Sequence, residues 1–210
     1  MTAQAPTLTH FPEAQAVLVF WLGDALRLGW PSTSRSDLWF GGGAALDHQI
    51  DQTFGDLVRQ AAQGGLVPWE DNALDRLALV LLLDQFTRNV FRGHAAAFSG
   101  DPRACALAID SLANGWDKQL PLAGQVFVAM PLMHAETLEA QEQAVAFFTA
   151  LWSAADTQHR EALLGHLEAA REHHDLITRF GRFPHRNAVL GRVSTPEERQ
   201  YLETGRRFGQ

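Results

Sequence analysis

The chain reads as an all-α protein, a stack of antiparallel helix pairs, and three observations predict that class. Apolar residues recur three and four positions apart, as in Ile50, Phe54, Leu57 and Val58, the period of a helix with one buried face. Start and stop signals bracket such runs: Asn72, Asp101-Pro102 and Thr195-Pro196-Glu197-Glu198 open them, while Gly23, Gly64-Gly65 and Gly181 close them. No stretch alternates apolar and polar residues with the period of two that a half-buried strand requires.

In chain order, residues 14–22 are apolar and end at Gly23, and residues 46–62 carry the next amphipathic stripe. Asn72 caps a helix over 73–90, in which the stripe Leu77, Leu81 runs on into Asp84 and Arg88. Asp101 as N-cap, with Pro102 at the first helical position, predicts a helix over 102–113. Pro131 lacks an amide hydrogen, so the run 120–152 is expected as two helices, one to Ala129 and one from Leu132. Asp156 opens a long helix ended by Gly181, and Thr195 to Glu198 form a capping box for the last helix, closed by Gly205. Residues 30–36 and Gly41-Gly42-Gly43 are loops too short to link domains, so residues 1–210 are expected to fold as one unit.

Composition narrows the function classes. At 210 residues, 46% hydrophobic and 20% charged, the chain has the makings of a well-filled core. One cysteine, Cys105, excludes an internal disulfide. Met1 to His10 has neither the basic start nor the apolar centre of a signal peptide, and the longest aliphatic run, residues 77–83, is far short of the roughly 20 residues that cross a bilayer. A cytoplasmic location with no membrane role is therefore expected. A formal net charge of −7, with a single lysine, Lys118, among 17 Lys and Arg, argues against nucleic acid as a partner.

Against that acidic background, residues 179–192 hold Arg179, Arg182, Arg186, Arg192 and His185, interleaved with Phe180 and Phe183 and free of any carboxylate. Pro184 stiffens the turn, so these side chains are presented from a fixed backbone. Guanidinium forks match carboxylate or phosphate oxygens in pairs, and the phenyl rings offer an apolar wall. A second segment echoes the first: Phe86, a spacer, Arg88-Asn89, apolar residues, then Arg92 and Gly93, against Phe183, a spacer, Arg186-Asn187, apolar residues, then Gly191 and Arg192. Two such turns facing one cleft would account for the echo, and chance is the alternative.

Other side chains complete the set. Asp84 and Arg88 are four apart on one helical face. His134, Leu138 and Gln141 share a face by the same spacing, with Glu136 about 200° away. Leu163, Leu167, Ala170, His174 and Ile177 form a stripe that turns His174 inward, and Asp175 stands four residues before Arg179. His159, His166 and His173 recur every seven residues, but that rise is about 10 Å, too far for one metal shell. His-Glu-x-x-His, paired cysteines, a Walker loop and a Gly-x-Ser-x-Gly elbow are all missing, so no metal and no cofactor is expected.

Leu83-Asp84-Gln85-Phe86-Thr87-Arg88-Asn89, Pro131-Leu132-Met133-His134-Ala135-Glu136 and residues 180–192 resemble the motifs of the bacterial domain-of-unknown-function family 924, with Phe20-Trp21 and Trp39-Phe40 extending the likeness toward the start. The resemblance implies an all-helical fold similar to tetratricopeptide-repeat folds and no assigned activity. Two positions depart from the family pattern, which has proline at Thr87 and serine at Ala135; alanine offers no hydroxyl for a nucleophile there.

Three functions fit these residues. The first is a module that binds a small anion, the carboxylate or phosphate of a metabolite or a peptide end, through Arg88, Asn89, Arg92, Gln141, His174, Arg179, Arg182, Arg186, Asn187 and Arg192. The second is an enzyme of the hydrolase or transferase kind, in which His134 or His185 moves a proton, Asp84 or Glu136 orients it, and the arginines hold transition-state charge. The third is a buried ionic network without a ligand. The oligomeric state is open.

Overall fold

The computed structural model describes residues 9–206, all helix and connecting turns, with no strand among them. Residues 1–8 lie outside it, so most of the Met1–His10 stretch read for targeting features is not described. Helix α1 (Pro12–Leu22) and the short α2 (Ala25–Leu28) are followed by α3 (Ala44–Ala62). Next, α4 (Ala73–Val80), a π-helical stretch (Leu81–Phe86) and α5 (Thr87–Val90) run on as one rod. Then come α6 (Asp101–Ala113), α7 (Leu122–His134), α8 (Leu138–Ala154), α9 (Arg160–Phe180) and α10 (Pro196–Thr204). No described helix is long and apolar enough to cross a membrane.

The central rod explains the arrangement. Asn72 caps it by accepting from the amides of Leu74 and Asp75, and every residue of α4 is buried, as in a helix packed on all sides. Its two charged members are satisfied inside. Asp75 accepts from the amide of His10, and the Arg76 guanidinium bonds Glu70 O and Asp110 and lies 4.1 Å over the Trp116 ring. Helices α1, α3, α6 and α7 surround the rod, and α7, α8 and α9 pack each against its chain neighbour. One core runs from Ala14 to Ala170; Leu176, Ile177 and Phe183 form a satellite with Phe180 and Tyr201.

Four local expectations are corrected. Helix α7 continues through Pro131 and ends at His134, because the buried neighbours Met130, Leu132 and Met133 hold the backbone helical despite the missing hydrogen bond. The break falls at residues 135–137, so His134 and Gln141 lie on different helices, and Gln141 donates to the carbonyls of Met133 and Ala135 to seal the end of α7. Asp101 is the first residue of α6 and Gly100 its N-cap; Asp156 precedes α9 by a turn, accepting from the amide of His159. Gly181 does take the left-handed conformation (φ 67°) that ends α9, and Gly205 is extended.

The capping box at Thr195 is complete, and it does more than start α10. Glu198, 2% exposed, accepts from Thr195 N, from Asn187 Nδ2 and from both ends of the Arg182 fork at 2.7 and 2.8 Å. The Arg182 bonds lead the causes that hold its carboxyl down to about 2. Glu198→Ala is expected to destabilise by about 2 kcal/mol, the scale of hydrogen bonds to a charged group. Limited proteolysis should then cut first near α10, and a digestion pattern like wild type would refute the idea that Glu198 docks that helix.

Candidate functional site

A cavity of about 850 Å³ opens between the central rod, α7, α9 and the loop before α3. Its walls divide into two ends. On α7, Met130, Met133 and His134 face it, with Phe127 just behind; on α9 it is lined by Gly165, His166, Ala169 and His173. Ring contacts set the direction of both helices. Trp39 stacks edge-on against Phe127 at 5.0 Å and Phe40 lies 5.9 Å from His166, whereas His134 lies 5.9 Å from His173. Seven residues of helix, about 10 Å of rise, therefore separate an aromatic end from a polar end on either wall.

The polar end is built on the π-helical stretch. Asp84 is fully buried and its Oδ1 lies 2.7 Å from His134 Nδ1; Gln85 Nε2 donates to Oδ2 at 2.6 Å and Arg88 to Oδ1 at 3.3 Å. Burial would raise this carboxyl, but His134 and Arg88 outweigh it and hold it at about 2. Arg88 also reaches Asp101 at 3.1 Å and the carbonyl of Ala97 at 3.2 Å. Gly100 makes this approach possible. A Cβ there would stand 2.3 Å from the carbonyl oxygen of Leu83, so any other residue would push Asp101 off the rod.

From the other half of the chain, Arg186 donates to the second oxygen of Asp101 at 3.0 Å. Its guanidinium is sandwiched between Phe98 (4.5 Å) and Phe183 (4.6 Å), is 7% exposed and has a buried Nε without a partner among the described residues. Burial, then Arg88, pushes this arginine down to about 10. His185 lines the same wall, and burial followed by Arg186 pushes it down to about 3; His173 falls to about 3 through burial and His134. At the rim, Asp47 accepts from Asn89 at 2.8 Å and from the Arg92 fork at 2.6 and 2.9 Å. The aromatic end comprises Trp21, Trp39 and Phe40 with His166, which burial pushes down to about 4. Trp21 Nε1 has no partner among the described residues.

The two Arg-Asn segments therefore converge: Arg88 and Arg186 share one carboxylate. They are not a structural repeat, since one is π- and α-helical and the other a 3₁₀ turn with bends. Of the residues read as a site, Asp84, Arg88, Asn89, Arg92, His134, His185 and Arg186 gather at the cavity. The rest do not. Arg182 and Asn187 serve Glu198, Arg179 pairs with exposed Glu197 instead of Asp175, and Arg192 forks onto Glu136 at 2.6 and 2.9 Å. Carboxylates distant in sequence thus claim arginines that stand among none locally. His174 sits on the flank of α9, 30% exposed and 3.7 Å from Asp175, while His173 takes the inward place because α7 packs one position round.

Sequence reasoning missed Asp47, Asp101, Trp39, Phe40, Met130, His166 and His173 as site members. The heptad of histidines was the signal: His166 and His173 mark the two ends of the cavity wall. Both π-helical stretches, residues 37–41 and 81–86, also border the cavity, a conformation that recurs at functional sites.

The family model described as bacterial protein of unknown function (DUF924) matches residues 17–206. A solved structure of a protein of unknown function from Agrobacterium tumefaciens is 38% identical, covers 92% of this chain and 98% of that chain, and superposes with a TM-score of 0.75. No curated protein matches. With the model spanning nearly the whole chain and the helical fold shared, the protein belongs to the DUF924 family of bacterial proteins of unknown function.

Proposed function

We propose that the cavity binds a small anionic molecule, the charged end beside Arg88 and Arg186 and the body along Trp21, Trp39 and Phe40. The observation that carries this reading is Arg186, a guanidinium in the cavity wall that is almost wholly buried, beside a second guanidinium, with one donor unused among the described residues. An arginine pushed down to about 10 by burial and by Arg88 sits where an added negative charge is stabilised. The volume suits a metabolite: small-molecule sites occupy about 300 to 1,000 Å³.

Carboxylates and phosphate esters with apolar bodies should raise the melting temperature. At a hundredfold the dissociation constant a ligand adds about 2.7 kcal/mol, or roughly 5 to 10 °C for a chain this long. Phe40→Ala, at a side chain 59% exposed, should leave the free protein near wild-type stability and lower affinity. Arg186→Lys keeps the charge and loses the fork, and should weaken binding about tenfold. If no anion shifts the melt, the buried ionic network is the whole role of these arginines and the binding reading falls.

One observation favours a second reading, an enzyme. Asp84 engages Nδ1 of His134 at 2.7 Å, which orients the ring and leaves Nε2 as its other nitrogen on the cavity wall. His185 is a poor base by comparison, since burial pushes it down to about 3. Recovering a bound molecule from gently purified protein and testing its turnover by wild type and His134→Gln separates the two.

A further inference from the structure

The anion reading leaves open what kind of anion, and charge counting at the polar end narrows it. Arg88 and Arg186 face Asp84 and Asp101, and Arg92 faces Asp47. Arg206 at the rim is matched by Glu172, and Glu136 behind the wall by Arg192. Among the described residues, every guanidinium around the cavity thus has its own carboxylate. His134 also stands at this end, 2.7 Å from Asp84 on the central rod and with its ring 5.9 Å from that of His173 on α9. His173 and His185 are kept neutral by burial and by neighbouring cations. The ion pairs therefore leave the polar end with little surplus positive charge, which suits a singly charged head better than a doubly charged one.

The opposite end asks for the rest of the molecule. Trp21, Trp39 and Phe40 offer apolar surface, and Phe127, against which Trp39 packs, lies about 10 Å along α7 from His134. Gln85 and Met130, in contact at 3.4 Å, occupy the middle without a charge. A small ion would fill the head and leave this surface wet.

We propose that the ligand is a monocarboxylate with an apolar body about 10 Å long, a medium-chain or aryl-alkanoic acid, and that phosphate esters of the same body are disfavoured. A carboxylate brings one charge and a planar pair of oxygens that fits a guanidinium edge; a phosphate monoester, with its second pKa near 6, brings close to two charges at neutral pH. This rests on the anion-binding reading above, and its failure is separable from that reading's.

Isothermal titration of the full chain at pH 7.5 with octanoate, octyl phosphate, acetate and octanol tests it. Octanoate should bind at least tenfold more tightly than octyl phosphate and at least a hundredfold more tightly than acetate, with octanol also far weaker. Octyl phosphate binding as well as octanoate or better would overturn the one-charge head while leaving an anion site in place. Acetate matching octanoate would overturn the apolar body alone. Octanol matching octanoate, or silence from all four, would overturn the anion site itself and this inference with it.

Discussion

Asp84→Ala is expected to lower the melting temperature by roughly 10 to 15 °C, the largest single-residue effect at the site. Asp84 has no exposed surface and accepts from His134, Gln85 and Arg88, so its loss leaves three donors facing an empty space in a low-dielectric interior. Breaking a buried ion pair by removing one partner costs about 3 to 5 kcal/mol, and each kcal/mol moves the melt by roughly 2 to 4 °C at this size. Asp84→Asn, which keeps the volume and one acceptor oxygen, should lose about half as much. A change under about 3 °C in the alanine variant would show that Asp101 alone organises the polar end. Circular dichroism of both variants, read beside the melts, establishes that the helices persist.

Acid is expected to unfold the protein cooperatively between about pH 5 and pH 4. Burial pushes His166 down to about 4, and His173 and His185 to about 3, from an ordinary value of 6.5. Each imidazole is neutral in the folded protein and takes a proton in the unfolded chain below about pH 6.5. The unfolded state therefore binds more protons throughout that window, and stability falls as pH falls. Three such groups give a slope of about 4 kcal/mol per pH unit near pH 5, enough to exhaust the 5 to 15 kcal/mol of an ordinary domain within two or three units. Asp84 acts in the same direction lower down. Its carboxyl, held at about 2 against 3.8, contributes stability above pH 3.8 that is lost as pH falls toward 2. Helical ellipticity followed from pH 7 to 3 reads the transition, and His173→Gln should flatten the slope by about a third. A melting temperature unchanged between pH 6.5 and 5 would contradict this account.

Most of the helical architecture was legible in the chain because its signals are local. Asn72, Gly181 and the Thr195 box act through backbone groups a few residues away, and the stripe from Leu77 to Arg88 lies on one rod. Pro131 misled for the same reason: its penalty is local, and the packing of its buried neighbours, which overrides it, is not. The candidate site divides along that line. Asp84 with Arg88 is an i, i+4 pair visible in sequence, whereas His134 on Asp84, Asp101 between two arginines and Asp47 on Arg92 join residues far apart in the chain.

What the sequence determined by itself is therefore the helical class, most helix ends, and a store of arginines with no local partners. Which arginines stay in the cavity was decided only by tertiary structure. Glu136 and Glu198 take Arg192 and Arg182 away, while Gly100 lets α6 approach the rod closely enough for Asp101 to hold Arg88 and Arg186 together. Ion pairing depends on distance in space, and a glutamate 56 residues from Arg192 in the chain leaves no periodic trace of the contact it will make.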